Sequence, residues 1–319
     1  MGLQLERALA IVWQTMPYVL YRLMVYGLLC LCVIAYLVFL AIIGFVFGAG
    51  AFWVLVVLSA ILAGMAGIGS FVGEYIFCRQ RAGHIALITE IIAEGQLPVG
   101  ISQMKWARGR VLHYFNGMAV LPEVRRLVRE TVRGINGTLL DTAAVLPAPA
   151  IEGGPKLARQ MVRFSQGYVE EAVIAHAFKT KDENVFESAR AAILLYCQCW
   201  KDVLGNAVTL TLLGYGFTLL ASVLFLVPLG IVALAFFQEW TVARFTLFAI
   251  GVFLGFAAKW ALFDPVAGAA TVLTFIEESN LLTPDPEWES RIESVAPAFV
   301  ELKARAAERS AKAPPRAAR

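Results

Sequence analysis

From Val203 to Gln238 the chain carries no charged residue. About 20 apolar residues already cross the hydrocarbon core of a bilayer, so a run of this length has no place inside a water-soluble domain. It is entered through an amphipathic segment, Val185 to Ala207, and left at Glu239-Trp240. The rest of the composition agrees: 59% of residues are hydrophobic and only 16% charged, against about a quarter charged in soluble domains. The chain reads as an all-α, polytopic membrane protein.

Three further runs are long enough to span. Leu23 to Phe47 and Ala51 to Gly73 are joined by Gly48-Ala49-Gly50, a link that permits only an antiparallel hairpin. Phe245 to Leu262, after Arg244, makes the fourth. Gly44, Gly48, Gly64, Gly67, Gly69 and Gly73 allow close helix approach in the first hairpin. Pro228 leaves two readings of the organising stretch open. One is a single kinked helix from about Asn206 to Phe237; the other is a helix ending near Val227 with a short re-entrant piece after it. Lys259 is placed to snorkel toward headgroups, and Asp264-Pro265 to cap a following helix.

Five regions follow: an interfacial N-terminal helix (1–22), hairpin 1 (23–73), a cytoplasmic or interfacial helical region (74–202), hairpin 2 (203–262), and an interfacial helix with a disordered basic tail (263–319). In the first, Leu5, Leu9, Val12 and Trp13 share a face until Pro17 interrupts. A cleaved signal peptide is not expected, because the run from Leu23 exceeds an h-region and a second run follows at once. In the central region Leu157, Met161, Phe164, Tyr168, Ala172 and Ala175 form an apolar stripe. Thr142 to Pro155, rich in Pro, Ala and Gly, reads as a flexible link. The joints after Phe47 and Phe237 hold a single Arg, whereas the N-terminal segment, central region and tail hold nearly all other basic residues. The positive-inside rule then expects a plasma (inner) membrane protein with both termini cytoplasmic.

The two hairpins read as a parallel internal repeat. Each is preceded by Arg-Ala (Arg7-Ala8, Arg190-Ala191) and carries a Trp near its outer turn (Trp53, Trp240). Each leaves by a similar phrase, AGHIALITEIIAEGQLP from Ala82 and AGAATVLTFIEESNLLTP from Ala267. Membrane folds are often duplicated, with function at the repeat interface; a homo-oligomer is the matching expectation.

Chemistry-bearing motifs are sparse. No P-loop, G-x-S-x-G, H-E-x-x-H or C-x-x-C pattern occurs, and no span holds an interior carboxylate. An enzyme, a cofactor and a metal site are therefore not expected. His84 with Glu90, and His176 with Glu170-Glu171, are the only His/Glu groupings to consider, and packing is the favoured role for them. Cys197 and Cys199 project about 200° apart on a helix, which suits packing rather than metal binding. Arg125, Arg126, Arg129 and Arg133, with Lys105, Arg108 and Arg110 upstream, read as a basic face for anionic headgroups. Glu123 and Glu130 interrupt that patch, so nucleic acid is not expected.

From Ile174 to about Ser279 the order of features resembles the C-terminal half of the choline transporter-like family. Ser188, Ala189, Arg190, Ala192 and Leu195 match its amphipathic entry segment; two spans and an exit helix ending in Glu277-Glu278 follow. The family's additional spans and large external loop have no counterpart here. The resemblance implies a membrane protein linked to transport of choline-like cations or to lipid metabolism. A quaternary cation needs aromatic faces, which Tyr36, Trp53, Tyr215 and Trp240 offer. Tyr215 stands between Gly214 and Gly216, an odd place where a helix could loosen around a wet path. The first expectation is thus a transporter or channel-like protein for a small cation. The alternative is a non-catalytic membrane-organising scaffold that grips the inner leaflet and recruits partners.

Overall fold

A computed structural model describes residues 4–65, 77–98, 100–116, 119–140 and 154–312; for 65, 154–159 and 312 only the backbone is described. No strand occurs among the described residues. The helices are α1 (Leu5–Gln14), α2 (Met16–Phe47), α3 (Ala49–Met65), α4 (Cys78–Glu94), α5 (Gln103–Tyr114), α6 (Val120–Thr138), α7 (Gly154–Thr180), α8 (Val185–Phe236), α9 (Thr241–Ala258), α10 (Asp264–Ser279), α11 (Pro286–Glu293) and α12 (Pro297–Lys312). A π turn, Lys259–Phe263, joins α9 to α10 without a break. Three helical stretches are long and apolar enough to cross a membrane: Met16–Phe47, Val185–Phe236 and Thr241–Ser279. The shorter α3 is also apolar. The chain is therefore an all-helical protein with membrane-spanning capacity.

The helices form two compact units. The first contains Met1–Thr15, Cys78–Leu212 and Val266–Arg319; the second contains Met16–Phe77 and Leu213–Pro265.

In the second unit, Pro17 sits in the first turn of α2, where its missing N–H costs nothing. Seen from α1, the same residue offers no donor to the Trp13 carbonyl, and the helix breaks at Thr15. Gly48, with φ of 90°, turns α2 directly into α3. Leu40, Ala41, Phe52 and Val242 form a small core near that turn. Gly44 lets this core close, since a Cβ there would meet Phe52 Cβ at 2.9 Å and Val242 Cγ1 at 3.2 Å. Close helix approach is thus realised at Gly44, while Gly64 has open space around it. Gly67, Gly69 and Gly73 lie outside the described residues.

The organising stretch is one helix. α8 runs from Val185 through Pro228 to Phe236, so no re-entrant piece follows Val227. Its one non-helical residue is Cys199 (φ −112°, ψ 23°), in the amphipathic part, where the thiol donates to the Leu195 carbonyl at 3.3 Å. The kink at Cys199 lies within the amphipathic entry segment, ahead of the spanning part. Asp264-Pro265, expected to cap a new helix, instead lies on a helix that continues through the π turn.

The first unit is built like a soluble helical domain. α4 is buried at every position from Ala82 to Thr89. α6 turns Leu121, Val124, Leu127, Val128, Val132 and Ile135 inward and packs on α7 and α12. Of the expected α7 stripe, Tyr168, Ala172 and Ala175 are buried and Phe164 is exposed, while Val162, Ser165, Val169 and Val173 widen the buried face. The disorder expected of the tail is corrected as far as Lys312. Phe299, Leu302 and Ala306 of α12 are buried, and Asp285 caps α11 by accepting the Glu287 N–H at 2.9 Å. The expected link falls outside the described residues up to Gly153; Gly154 and Pro155 already belong to α7.

Candidate functional site

The second unit brings several polar side chains to the π turn, which Arg22 of α2 and Gly214 of α8 both approach. A π turn widens the helix and interrupts its regular hydrogen bonding. Here it places Lys259 and Asp264, five residues apart, with Nζ and Oδ1 at 2.7 Å. It also presents the Trp260 carbonyl, to which Arg22 donates through Nη2 at 3.0 Å. Arg22 is buried, as is Asp264, and the side chains of the Lys259–Asp264 pair are only 14% and 10% exposed. Leaving one member of such a pair alone typically costs about 3–5 kcal/mol. Lys259 is therefore ion-paired with Asp264.

Aromatic rings enclose this level. Tyr26 stacks on Phe77 with centroids 5.0 Å apart and planes at 9°, and lies 6.1 Å from Trp260. Its hydroxyl is buried without a hydrogen-bond partner among the described residues. Lys259 Nζ stands 6.0 Å from the centroid of Tyr215, at the outer limit of a cation–π contact. Gly214 makes this approach possible: a Cβ there would come within 2.9 Å of Phe263 Cε1 and 3.1 Å of Lys259 Cε. The odd Gly-Tyr-Gly sequence is a close helix crossing at Gly214, with open space at Gly216.

The four aromatic residues singled out as a cation site do not converge. Trp53 packs on Phe52 and Phe245, and Trp240 on Phe45 and Phe237, both around the core near the α2–α3 turn. Tyr215 is at the Lys259 level, and Tyr36 is 41% exposed along α2. Aromatic residues at both ends of apolar helices match the interfacial belts of membrane proteins. A groove of about 300 Å³ in this unit is lined by Leu226, Leu229, Gly230, Ala233 and Phe248, with Arg244 its only charged residue.

The basic residues of the first unit divide into two kinds. Arg125 is buried, its Nη2 3.6 Å from Glu170, which also accepts from Arg129 Nε at 2.8 Å. Arg126 pairs with Glu130 and Glu301, and Arg110 with Glu90 at 3.3 Å. These side chains hold the unit together; the headgroup role expected of Arg125 is corrected by its burial against Glu170. Lys105, Arg108 and Arg133 are exposed. Sequence reading missed Glu170 as the centre of this cluster, since its partners are 41 and 45 residues away; only the placement of both carboxylates, Glu170 and Glu171, on the inner face of an amphipathic helix could have signalled it.

Of the remaining reactive groups, Cys30, Cys78, Cys197, Cys199 and His84 are buried, whereas Cys32 and His113 are exposed. His84 Nε2 lies 2.9 Å from the Thr15 hydroxyl. Burial, then Lys179, holds His176 down at about 4. No group of three metal-ligating side chains occurs among the described residues.

These features define the class, an all-helical protein with helices long and apolar enough to cross a membrane, a buried ionic level in one unit and a buried ionic cluster in the other. No family model, curated protein or solved structure matches the chain.

Proposed function

We propose that the protein is a non-catalytic membrane-organising scaffold of the inner (plasma) membrane. In this reading two hairpins, four spans in all, hold the first unit on the cytoplasmic side, where it recruits partners and self-associates. The observation that carries it is Lys259 beside Tyr215: the aromatic face offered to a cation already has an ammonium group near it. That ammonium stands where a second cation would have to approach the ring, and the groove in the same unit is lined by apolar residues apart from Arg244.

Support for four spans comes from the first unit alone. Thr15 and His84 are 2.9 Å apart, so the chain between them leaves and returns to one place. Asn206 Nδ2 donates to Thr274 at 3.0 Å, which imposes the same on the second pair. From the polar level to the outer turns, Arg22 to Phe47, Tyr215 to Phe236 and Lys259 to Thr241 measure about 38, 32 and 27 Å along a helix axis, near the roughly 30 Å of a bilayer core. The parallel repeat is supported by its exit phrases. Ala82 and Ala267 are both buried, and the matched Thr89 and Thr274 hydroxyls each donate to the carbonyl four residues back, at 2.7 and 3.0 Å.

Transport of a small, choline-like cation is the second reading, in keeping with the choline transporter-like resemblance. It is favoured by Arg22, Lys259 and Asp264, because ionisable groups within apolar helices often mark pathways. Purified protein in liposomes decides between the two. The scaffold predicts no saturable flux across a choline and small-cation panel, in the native chain and in Tyr215→Ala alike. Flux that Tyr215→Ala reduces, in a protein that still purifies folded, replaces the scaffold with the transporter.

A further inference from the structure

α1 and α5 are separate in sequence but share one margin of the first unit. Gln103, the first residue of α5, donates through Nε2 to the Gln14 carbonyl, the last of α1, at 2.9 Å. Beside that bond stand Trp13, 73% exposed, and Met104, 45% exposed. Neither belongs to a spanning helix, so lipid around the spans does not account for them.

On α5 the outward residues fall on one face. At 100° per residue, Met104, Arg108, Leu112 and Lys105 lie within an arc of about 100°. Met104 and Leu112 are exposed apolar side chains, and Lys105 and Arg108 are exposed cations with no ion-pair partner among the described residues. Arg110, by contrast, points away to Glu90. On α1 the apolar Leu9 and Trp13 are outward, and the charged Glu6 and Arg7 lie a turn or two farther from α2. Only Thr15 separates α1 from the start of the spanning helix α2, which leaves Trp13 within a few residues of the membrane. Apolar groups that dip among acyl chains, flanked by cations that meet phosphates, are the signature of a monotopic membrane face.

We propose that α1 and α5 form a lipid-docking face that seats the first unit on the anionic lipids of its own membrane. Leu9, Trp13, Met104 and Leu112 enter the headgroup boundary, and Lys105 and Arg108 bind lipid phosphates. The proposal rests on the membrane-embedded reading above and moves the headgroup contact from α6, whose apolar side is buried against α7 and α12, to α1 and α5. A basic residue near an anionic surface contributes about five-fold to binding, so two give roughly 25-fold.

The test uses the full chain in liposomes, with single nitroxide labels at Leu9→Cys, Met104→Cys or Leu112→Cys in a background lacking the native cysteines. A label at Arg133→Cys, exposed on α6, is the water-facing control. In vesicles containing phosphatidylglycerol, labels at 9, 104 and 112 are expected to collide with dissolved oxygen several-fold more than with a soluble nickel chelate, and the label at 133 the reverse. Lys105→Glu with Arg108→Glu should return position 104 to water. Water exposure at 104 and 112 while the protein still floats with lipid overturns the docking face and leaves the embedded fold standing. Failure to float overturns the embedded reading as well. Lipid-like exposure that ignores both phosphatidylglycerol and the double substitution overturns the phosphate contact. Immobilised labels that follow protein density rather than lipid composition assign the face to a second copy, and overturn the proposal.

Discussion

At the scale of single residues, the polar groups of the first unit are distinguished by what burial does to them. His176 on α7 has Phe275 packed edge-on at 6.2 Å, and its Nδ1 has no hydrogen-bond partner among the described residues. Burial, then Lys179, lowers its pKa to about 4 from an ordinary 6.5. The folded state therefore binds fewer protons than the unfolded state between those values. Stability from the neutral ring is fully present above about pH 6.5 and is lost as pH falls toward 4, at no more than about 1.4 kcal/mol per pH unit. Thermal unfolding in detergent should show a midpoint that falls from pH 7 to pH 5 in the native chain and falls less in His176→Phe. Equal slopes in the two proteins would show that this ring does not titrate on unfolding. Carboxylates such as Glu170, already paired with two arginines, belong to both proteins and cancel in the comparison.

At the scale of elements, the helix crossings of the second unit rest on small residues, and two glycines separate packing from propensity. A Cβ at Gly255 would come within 2.8 Å of the Ser222 backbone, whereas one at Gly216 would meet nothing within 4 Å. Gly255→Leu should therefore lower stability by about 1–3 kcal/mol or more through overpacking. Gly216→Ala should be neutral or stabilising by up to about 1 kcal/mol, from helix propensity. Melting curves in one detergent read both; equal effects would show that α8 and α9 do not cross at Ser222. This contrast also marks what the sequence can and cannot show. Uncharged runs announced α2, α8 and α9, because lipid imposes an unbroken apolar length on any span. Pro228 and Asp264-Pro265 looked like interruptions, yet the helix runs through both, since local propensity yields to the demand that backbone groups bond within the helix. Arg22 and the Trp260 carbonyl are 238 positions apart, and no local pattern pairs them. The tail was misread for a different reason: its Ala, Lys, Arg and Pro content masked Phe299, Leu302 and Ala306, which lie at helical spacing and are buried.

At the scale of the whole molecule, contacts inside one unit bear on the path of the chain through another. The first unit takes residues from before α2, from between α3 and α8, and from after α9. If that unit stands in water on one side of a membrane, each excursion away from it must cross an even number of times. The first excursion is bounded by Thr15 and His84, the second by Asn206 and Thr274. Of the three helices long enough to span, α2 belongs to the first excursion, while α8 and α9 make up the second. Evenness then requires α3, about 25 Å long at 1.5 Å per residue, to cross back. A chain in which only the three long helices crossed would put Thr15 and His84 on opposite faces, against their direct contact. Cysteines placed at Gly50 and Thr241 should therefore react with an impermeant maleimide from outside intact cells. A cysteine replacing Leu281, the most exposed apolar side chain described for the first unit at 94%, should react only after the membrane is opened. Labelling of position 281 from outside alongside position 50 would break the rule of even crossings, and with it the two-hairpin path.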